Sequence, residues 1–153
     1  MIKTFEQFHE DIYYHCSDKK FDDFENIDNK MYQETDVPTW FFTKDLEYAK
    51  RFGKWLYSVK LNLERTFDLS DNKHKKLFMS ALEAWDYSEA KIDNIFDEQF
   101  VGDLPYWTCS DAFYVASMNG FDSILVAEEL EKEVLSVGVF DTSRIEILNI
   151  KQV

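Results

Sequence analysis

The sequence predicts an α+β fold, with strands near both ends of the chain and helices between them. Apolar residues alternate with polar ones in segments 12–17 and 54–63, whereas between residues 68 and 100 they recur at the spacing of a helix. Strands that are grouped apart from helices are typical of α+β folds rather than of doubly wound sheets. The chain also contains no G-x-G-x-x-G and no P-loop motif, so a nucleotide would have to bind by other means.

The first predicted elements are a short helix and a strand. Thr4 is a suitable N-cap for a helix over Phe5–His9, and strand-like alternation follows it. Side chains along a strand point to opposite faces in turn, so His15 shares its face with the hydroxyls of Tyr13 and Ser17 rather than with the more apolar face. A histidine in such a strand has either a structural or a ligand-binding role, and the pattern alone leaves both open.

A polar loop and a short helix come next. Residues 18–36 are rich in Asp, Asn and Lys, with Phe21 and Phe24 as the expected anchors. A loop of this length inside a compact domain is usually functional or mobile, so we expect it to lie over a cleft. After an aromatic run, Asp45 lies in the first turn of a helix that Gly53 ends.

The rest of the chain continues this mixed pattern. The clearest strand spans Lys54–Leu63, and two helices are predicted within residues 68–100, the second of them capped by Ser88. A further helix begins at a Ser110 cap and stops at Gly120. Three strands complete the chain, over residues 121–127, 135–140 and 144–150.

Length and composition indicate one domain over residues 1–153. Apolar residues make up 45% of the chain and aromatic residues 17%, with only four glycines and two prolines. A chain of this length buries about 68–70% of the surface that it exposes when unfolded, so it can form a substantial core. No internal repeat or low-complexity tract divides it.

The charge of the chain restricts its partners. Thirty acidic residues against seventeen basic ones give a formal net charge of −13, which repels nucleic-acid phosphates and anionic lipids and favours a basic protein surface. We expect no direct nucleic-acid binding and no membrane association. Without a signal peptide or a run of eighteen uncharged apolar residues, the protein is expected in the cytoplasm. Cys16 and Cys109 form no metal-binding pattern, so neither a metal nor a disulfide is expected.

Three motifs, in order along the chain, resemble those of the ADP-ribosyltransferase family. The first, His15-Cys16-Ser17, looks like the Tyr-His-Gly-Ser/Thr start of that fold. The second, Trp40-Phe41-Phe42-Thr43 with the helix and strand that follow, resembles its Leu-Tyr-Phe-Thr … Tyr-x-Val-x-Leu motif. The third, Gly120-Phe121-Asp122-Ser123-Ile124 with Val139-Phe140-Asp141, is similar to its Gly-Tyr-Asp-Gly-Ile … Val-Phe-Asp ending. The chain looks especially like small bacteriophage-type members of the family, which include an anti-CRISPR enzyme.

This resemblance implies two small antiparallel sheets around an NAD cleft, and cleavage of the bond between nicotinamide and ribose. Such a reaction passes through an oxocarbenium-like state, so a carboxylate that orients the ribose hydroxyls and offsets the developing positive charge should matter most. By position the resemblance assigns this role to Glu128. Glu129 is the alternative, because a one-residue shift at the end of the strand exchanges the two side chains. The other interpretation is that both are solvated acids of a turn.

The same resemblance assigns the residues that contact NAD. His15 would hydrogen-bond the ribose next to nicotinamide, assisted by Ser17, and the backbone of Cys16 would meet the carboxamide. Phe41 takes the position of the family's ring-stacking tyrosine, because stacking needs a π-face and no hydroxyl. A second wall and a polar contact are assigned to Phe52 and Thr43. The alternative for the phenylalanines is ordinary core packing.

Three positions depart from the family motifs: Cys16 and Ser123 replace glycines, and Phe41 replaces a tyrosine. Without the tyrosine hydroxyl, mono-ADP-ribosylation is expected rather than chain elongation. The leading hypothesis is an NAD-dependent mono-ADP-ribosyltransferase that uses NAD as its substrate and needs no metal. Its target would be a protein with a basic surface, such as a nucleic-acid-binding factor of a host, which a phage effector or anti-defence protein would meet in the host cytoplasm.

Two other functions are consistent with the same sequence. One is a catalytically silent protein of this fold that occupies a partner's basic surface, for which binding should be salt-sensitive and should survive Glu128→Gln and His15→Ala. The other is an NAD glycohydrolase toxin, which would release free ADP-ribose without any acceptor. The sequence identifies neither the target protein nor the oligomeric state.

Overall fold

The computed structural model of the chain describes residues 12–24, 37–128 and 134–153. The helix predicted over Phe5–His9 and the second part of the predicted loop, 25–36, lie outside the described residues. Within the described ranges the strands are β1 (Ile12–Ser17), β2 (Trp40–Thr43), β3 (Trp55–Leu61), β4 (Thr66–Phe67), β5 (Phe100–Val101), β6 (Leu104–Pro105), β7 (Ser123–Ala127), β8 (Leu135–Val139) and β9 (Ile145–Gln152). The helices are α1 (Leu46–Ala49), α2 (Asn72–Ala84), α3 (Glu89–Glu98) and α4 (Ser110–Met118), with 3-10 turns at Lys50–Phe52 and Thr142–Arg144.

Seven of these strands form one mixed sheet in the order β4-β7-β8-β2-β1-β3-β9, and β5 and β6 form a small separate sheet. The predicted α+β class is confirmed. The expectation of two small antiparallel sheets is corrected in two respects: the β1–β2 pair joins seven strands into one sheet, and β4 pairs with β7 in parallel. A parallel pair needs a long connection between its strands, and the segment carrying α2, α3 and α4 provides it.

The strand pairing within the large sheet is shortest between β1 and β2. Their register consists of one pair, Tyr14 opposite Thr43. In contrast, β1 pairs with β3 over six positions, from Ile12 opposite Lys60 to Ser17 opposite Trp55. The two halves of the sheet, β4-β7-β8-β2 and β1-β3-β9, are therefore joined at a single point.

Two large hydrophobic cores lie against the sheet, and the second of them spans both of its halves. The helices pack against β4 and β7 to form the first core, which includes Phe67, Phe78, Leu82, Ile95, Phe113, Ile124 and Val126. The second core is mainly aromatic and includes Phe21, Phe24, Trp40, Phe42, Tyr57 and Val59. Phe21 and Phe24 are buried, so their predicted role as loop anchors is confirmed. The Tyr57 hydroxyl fixes this loop, since it donates to the Phe21 carbonyl oxygen at 3.0 Å and accepts from the Phe21 amide at 2.6 Å.

The segment between β2 and β3 is a short, tightly held connection. The Asp45 carboxylate accepts a hydrogen bond from the Tyr48 amide at 2.9 Å and caps α1, which lasts one turn before the 3-10 turn. Gly53 ends that turn, as predicted. A Cβ at this position would lie 2.3 Å from the Ser17 carbonyl carbon, so only glycine lets the turn approach the end of β1 this closely.

Several predicted boundaries are corrected by the structure. β3 is shorter than Lys54–Leu63, and Leu56 on its supposedly polar face is buried against Cys16 and Ala49, because α1 covers that face as well. Ser110 is the first residue of α4 and not its cap, since Cys109 takes the N-cap position without a side-chain bond. The Ser88 cap of α3 is confirmed by its bond from the Lys91 amide at 3.1 Å.

The buried Asp122 connects the start of β7 to the segment between β3 and β4. One carboxylate oxygen accepts from the amides of Glu64 and Arg65 at 2.8 and 3.0 Å, and the other accepts from the Ser123 hydroxyl at 2.7 Å. The Arg144 Nε lies 3.4 Å from the same carboxylate. The residues Asp122 and Ser123 of the third motif therefore hold the fold together, and they lie apart from the pocket described next.

Candidate functional site

A pocket of about 430 Å³ opens between β1 and β2, next to their single register pair. β1, β2 and the α1 segment supply most of its walls, and the ends of β7 and β8 complete it. Aromatic residues dominate the lining: Tyr14, Trp40, Phe41, Phe42, Tyr48, Phe52 and Trp107. The other lining residues are His15, Cys16, Thr39, Thr43, Ala49, Glu128 and Ser136.

The pocket gathers most of the residues that the resemblance singled out. His15, Cys16, Phe41, Thr43, Phe52 and Glu128 line it, although they come from four different parts of the chain. Ser17 is not among the lining residues; its hydroxyl accepts from the Lys19 amide at 3.2 Å in an exposed turn. Glu129, the alternative to Glu128, lies outside the described residues.

His15 sits in an aromatic surrounding. Its ring lies 5.5–5.6 Å from those of Phe24, Trp40 and Phe42. The expectation that His15 occupies the more polar face of β1 is therefore wrong. Alternation along β1 is correct, but these rings come from other segments, which the local pattern does not reveal.

The hydrogen bonding of His15 defines its protonation state. Burial lowers the pKa of its imidazole, and the bond to the Phe41 carbonyl only partly opposes this shift. Its Nδ1 lies 2.8 Å from the Phe41 carbonyl oxygen, which can only accept, so Nδ1 carries the proton. The neutral ring then has Nε2 available as a hydrogen-bond acceptor.

Glu128 follows the last residue of β7, and its carboxylate is held from two sides. One oxygen accepts from the Tyr48 hydroxyl at 2.8 Å, and the other accepts from the Ser136 hydroxyl. Its amide donates to the Val134 carbonyl at 3.2 Å, which links the end of β7 to the start of β8. Glu128 is thus a partly buried pocket residue with a fixed side chain, and not a freely solvated acid of the turn.

Tyr48, Ser136 and Trp107 were not predicted as site residues. Tyr48 is only 3% exposed and comes from a one-turn helix whose sequence carries no motif that marks it. Ser136 carried a signal, because it is a buried hydroxyl between apolar neighbours in a central strand. It pairs with Thr43 on β2 and with Val126 on β7. Ser136 therefore lies between the wall formed by β2 and the end of β7, where Glu128 follows.

The aromatic walls combine core packing with exposure to the pocket. The Phe41 ring packs 5.9 Å from Phe113 in the helical core and passes close over Gly138, where a Cβ would lie 3.2 Å from it. Both sequence interpretations of Phe41, a pocket wall and a core residue, therefore apply. Phe52 is 48% exposed and meets the Tyr48 ring edge-on at 5.1 Å.

Two other assigned residues, Thr43 and Cys16, have buried side chains. The Thr43 hydroxyl donates to the Leu135 carbonyl at 3.0 Å and accepts from the Asp45 amide at 3.1 Å. The Cys16 thiol is buried, which raises its pKa, while the Lys50 ammonium acts in the opposite direction. A high thiol pKa leaves little thiolate, so Cys16 is not set up as a nucleophile.

The charge of the pocket is negative. Glu128 is the acidic residue among the lining side chains, and no lysine or arginine of the described residues lines the pocket. The cations nearest to the lining in sequence are Lys44, Lys50 and Arg51, each directly next to a lining residue. The Arg51 guanidinium lies 5.4 Å from the centre of the Tyr48 ring.

Over the three described ranges, no group of three or more His, Cys, Asp and Glu side chains is arranged as metal ligands. None of the helices in those ranges is long and apolar enough to cross a membrane.

Comparisons with known proteins extend this description to the whole fold. No protein-family model and no curated protein matches the chain. Among solved structures, the chain is similar to a crystal structure described as that of an anti-CRISPR protein, with a TM-score of 0.56 and 12% sequence identity. The similarity covers 93% of this chain and 94% of that one. At this low identity, the two proteins are shown to share a fold.

Proposed function

We propose that this protein is an NAD-dependent mono-ADP-ribosyltransferase that acts on a protein target. The observation that carries the proposal is the convergence of His15, Phe41 and Glu128 on one aromatic pocket. The resemblance of the sequence motifs assigns these three residues to the same NAD site. The likeness in fold to an anti-CRISPR protein supports an anti-defence role for such an activity.

The chemistry of the pocket suits the nicotinamide end of NAD. The nicotinamide ring of NAD is a flat pyridinium cation, and aromatic faces attract such a cation while a nearby carboxylate adds to the attraction. Phe41 and Phe52 would bound the ring, and the His15 Nε2 would accept from a ribose hydroxyl. Glu128 would accept from a second hydroxyl, because each carboxylate oxygen still has a lone pair beyond its bond to Tyr48 or Ser136.

Glu128 would also favour bond cleavage. When the bond between nicotinamide and ribose breaks, its electron pair leaves with nicotinamide and positive charge develops on the ribose. A fixed carboxylate beside that sugar stabilises the charge without having to reorganise, which commonly contributes a factor of about 10²–10³ to the rate. A nucleophilic side chain of the target would then take the ADP-ribose.

The proposal is tested with NAD labelled in its adenylate half. The purified protein is incubated with this NAD and a bacterial lysate, and labelled proteins are separated and identified. We expect a labelled acceptor, and a loss of about 10²–10³-fold in labelling rate for Glu128→Gln. The matched control is Glu146→Gln, an exposed carboxylate on β9, which should label at the wild-type rate. The absence of any labelled acceptor, or equal labelling by Glu128→Gln, would reject the proposal.

One observation favours a second candidate, a silent binding protein. A dinucleotide carries two phosphates, and the lining of the described pocket offers them no cation. If the protein acts by binding alone, its effect on a partner should survive Glu128→Gln and His15→Ala and should weaken with salt. A third outcome, free ADP-ribose with no modified protein, would identify an NAD glycohydrolase.

A further inference from the structure

The mouth of the pocket carries two cations that its lining lacks. Of the lining residues in the described ranges, only Phe52 is exposed, at 48%, so its side chain marks the mouth of the pocket. Lys50 and Arg51 directly precede it in the 3-10 turn that follows α1, and both are exposed. Ala49, on their other side, is buried in the pocket wall.

Each of these two cations lies close to a side chain of the pocket wall. The Arg51 guanidinium lies 5.4 Å from the centre of the Tyr48 ring, and the Tyr48 hydroxyl donates to Glu128 at 2.8 Å. These two contacts place the guanidinium carbon at most about 11 Å from that Glu128 oxygen. The Lys50 ammonium is near enough to Cys16 to lower the pKa of its thiol, against the larger effect of burial.

Arg51 suits a phosphate better than the other cations next to the lining do. The Lys50 ammonium pairs with the Glu47 carboxylate at 3.3 Å. The Lys44 ammonium lies 5.2 Å from the centre of the Tyr13 ring, and both residues line a second cavity. A guanidinium presents several N–H donors in a planar fork, so it can bind a phosphate through two of them while others keep contacts within the fold.

We propose that Arg51 binds the diphosphate of NAD at the mouth of the pocket, with Lys50 adding to the local positive charge. The inference rests on the proposed function, because it concerns the remainder of the same substrate. The diphosphate is attached to the ribose next to nicotinamide, and its nearer phosphorus lies about 6 Å from the carbon at which the bond breaks. A ribose bound to Glu128 therefore brings the phosphates within reach of Arg51.

The charges of the site then match those of NAD along its length. Glu128 and the aromatic walls attract the cationic nicotinamide inside the pocket, and Arg51 attracts the anionic diphosphate at its mouth. The reverse placement would put the phosphates beside Glu128, in a lining without a cation. Arg51 therefore fixes the direction in which the dinucleotide enters and adds to its affinity.

The test compares two ligands that differ in their phosphates. Carbocyclic NAD keeps its bond to nicotinamide intact because a methylene group replaces the ribose ring oxygen, and carbocyclic nicotinamide riboside lacks the phosphates. Calorimetric titration of the full chain measures the affinity for each. We expect Arg51→Gln to weaken binding of carbocyclic NAD about tenfold and Arg51→Lys about threefold, because an ammonium does not form the bidentate pair. Both variants should bind the riboside within about twofold of the wild-type affinity, since it makes no phosphate contact.

Steady-state kinetics gives a second readout. With NAD as the varied substrate, Arg51→Gln should raise KM about tenfold and leave kcat within about twofold, because the phosphate contact is the same before and during bond cleavage. The control is Lys60→Gln, which removes an exposed cation from β3 and changes the net charge equally. It should alter the affinity for carbocyclic NAD less than about twofold at about 0.15 M salt, because distant charges are screened.

The outcomes separate this inference from the proposed function. Unchanged binding of carbocyclic NAD by Arg51→Gln, an equal loss for the riboside, or an equal loss in Lys60→Gln would overturn the inference, even where a labelled acceptor is found. The expected losses in Arg51→Gln without any labelled acceptor would reject only the transfer reaction. A wild-type protein that binds neither ligand would reject both.

Discussion

Glu128 is held by hydroxyl groups from two elements that are distant in sequence. Tyr48 comes from α1 and Ser136 from β8, and each donates to one carboxylate oxygen. Hydrogen bonds to a charged group are among the stronger ones in proteins, with a net value of about 1.5–3 kcal/mol. Tyr48 and Ser136 therefore act as positioning residues, which set the direction in which the Glu128 carboxylate faces the pocket.

Tyr48→Phe removes one of these donors and leaves the aromatic ring in place. We expect the rate of NAD cleavage at saturating NAD to fall about tenfold to a hundredfold, with little change in KM, because one hydrogen bond to the charged group is lost. Steady-state kinetics with NAD as the varied substrate measures both constants. Tyr14→Phe is the matched control, since Tyr14 lines the same pocket. Equal losses in the two variants would contradict a specific role for Tyr48.

The pKa of His15 makes the stability of the protein depend on pH. The pKa of the folded imidazole lies below its ordinary value of 6.5 because the ring is buried. Between the lowered pKa and about 6.5 the unfolded chain binds more protons than the folded one, so the free energy of unfolding falls as the pH falls through this window. The free energy of unfolding levels off at pH values below the pKa of the folded His15 imidazole. Denaturant titrations from pH 7.5 down to about 5 should show this decrease.

The same titrations on His15→Gln provide the control. Glutamine does not titrate, so this part of the pH dependence should disappear whatever the variant's overall stability. The measurements stop above the pKa range of ordinary carboxyl groups, which would add their own slope. An identical pH dependence in the variant would show that the buried imidazole is not its source.

At the level of elements, the α1 segment connects the sheet to the pocket. Asp45 caps its start, Tyr48 reaches Glu128, and Gly53 lets its end lie against the backbone of β1. The pocket geometry therefore depends on the close approach of this segment to β1. One methyl group at Gly53 is enough to disturb it.

Gly53→Ala should destabilise the protein by about 2–3 kcal/mol and also weaken NAD binding, because the added Cβ would overlap the Ser17 backbone. Thermal denaturation and calorimetric titration with NAD measure the two effects. Gly102→Ala is the control variant. A Cβ at this position meets no atom within 4 Å, so the variant loses stability only through the positive φ of 57°. It should lose about 1–2 kcal/mol and leave NAD binding intact. Normal NAD affinity in Gly53→Ala would argue against this coupling.

For the whole molecule, the dominant feature is its negative charge. A net charge of −13 on 153 residues opposes the compact state through mutual repulsion, and the four ion pairs in the described ranges offset little of it. Salt screens such repulsion over about 10 Å at 0.1 M. The stability of this protein should therefore increase with ionic strength.

We expect the Tm to rise by about 2–4 °C between about 0.01 and 0.5 M NaCl, which corresponds to about 1 kcal/mol. Differential scanning calorimetry measures it. A variant with Asp103→Lys and Glu146→Lys, both at exposed positions, should show a smaller rise because its net charge is closer to zero. A Tm that falls with NaCl would mean that attractive ion pairs dominate the electrostatics.

Several features of this protein were determined by the sequence alone. The spacing of apolar residues predicted the α+β class, and local residue types predicted the Ser88 cap and the helix stops at Gly53 and Gly120, because these depend on interactions a few residues apart. Asp45, predicted in the first turn of its helix, is instead the N-cap. The motifs singled out His15, Phe41 and Glu128, which line one pocket.

Other features were decided only by the tertiary structure. The joining of seven strands into one mixed sheet, the aromatic surrounding of His15, and the bonds of Tyr48 and Ser136 to Glu128 all bring together residues that are far apart in the chain. Periodicity describes which face a side chain occupies, but not which distant segment covers that face. The pocket forms where β1 and β2 pair at a single position, so it depends on which distant segments come together.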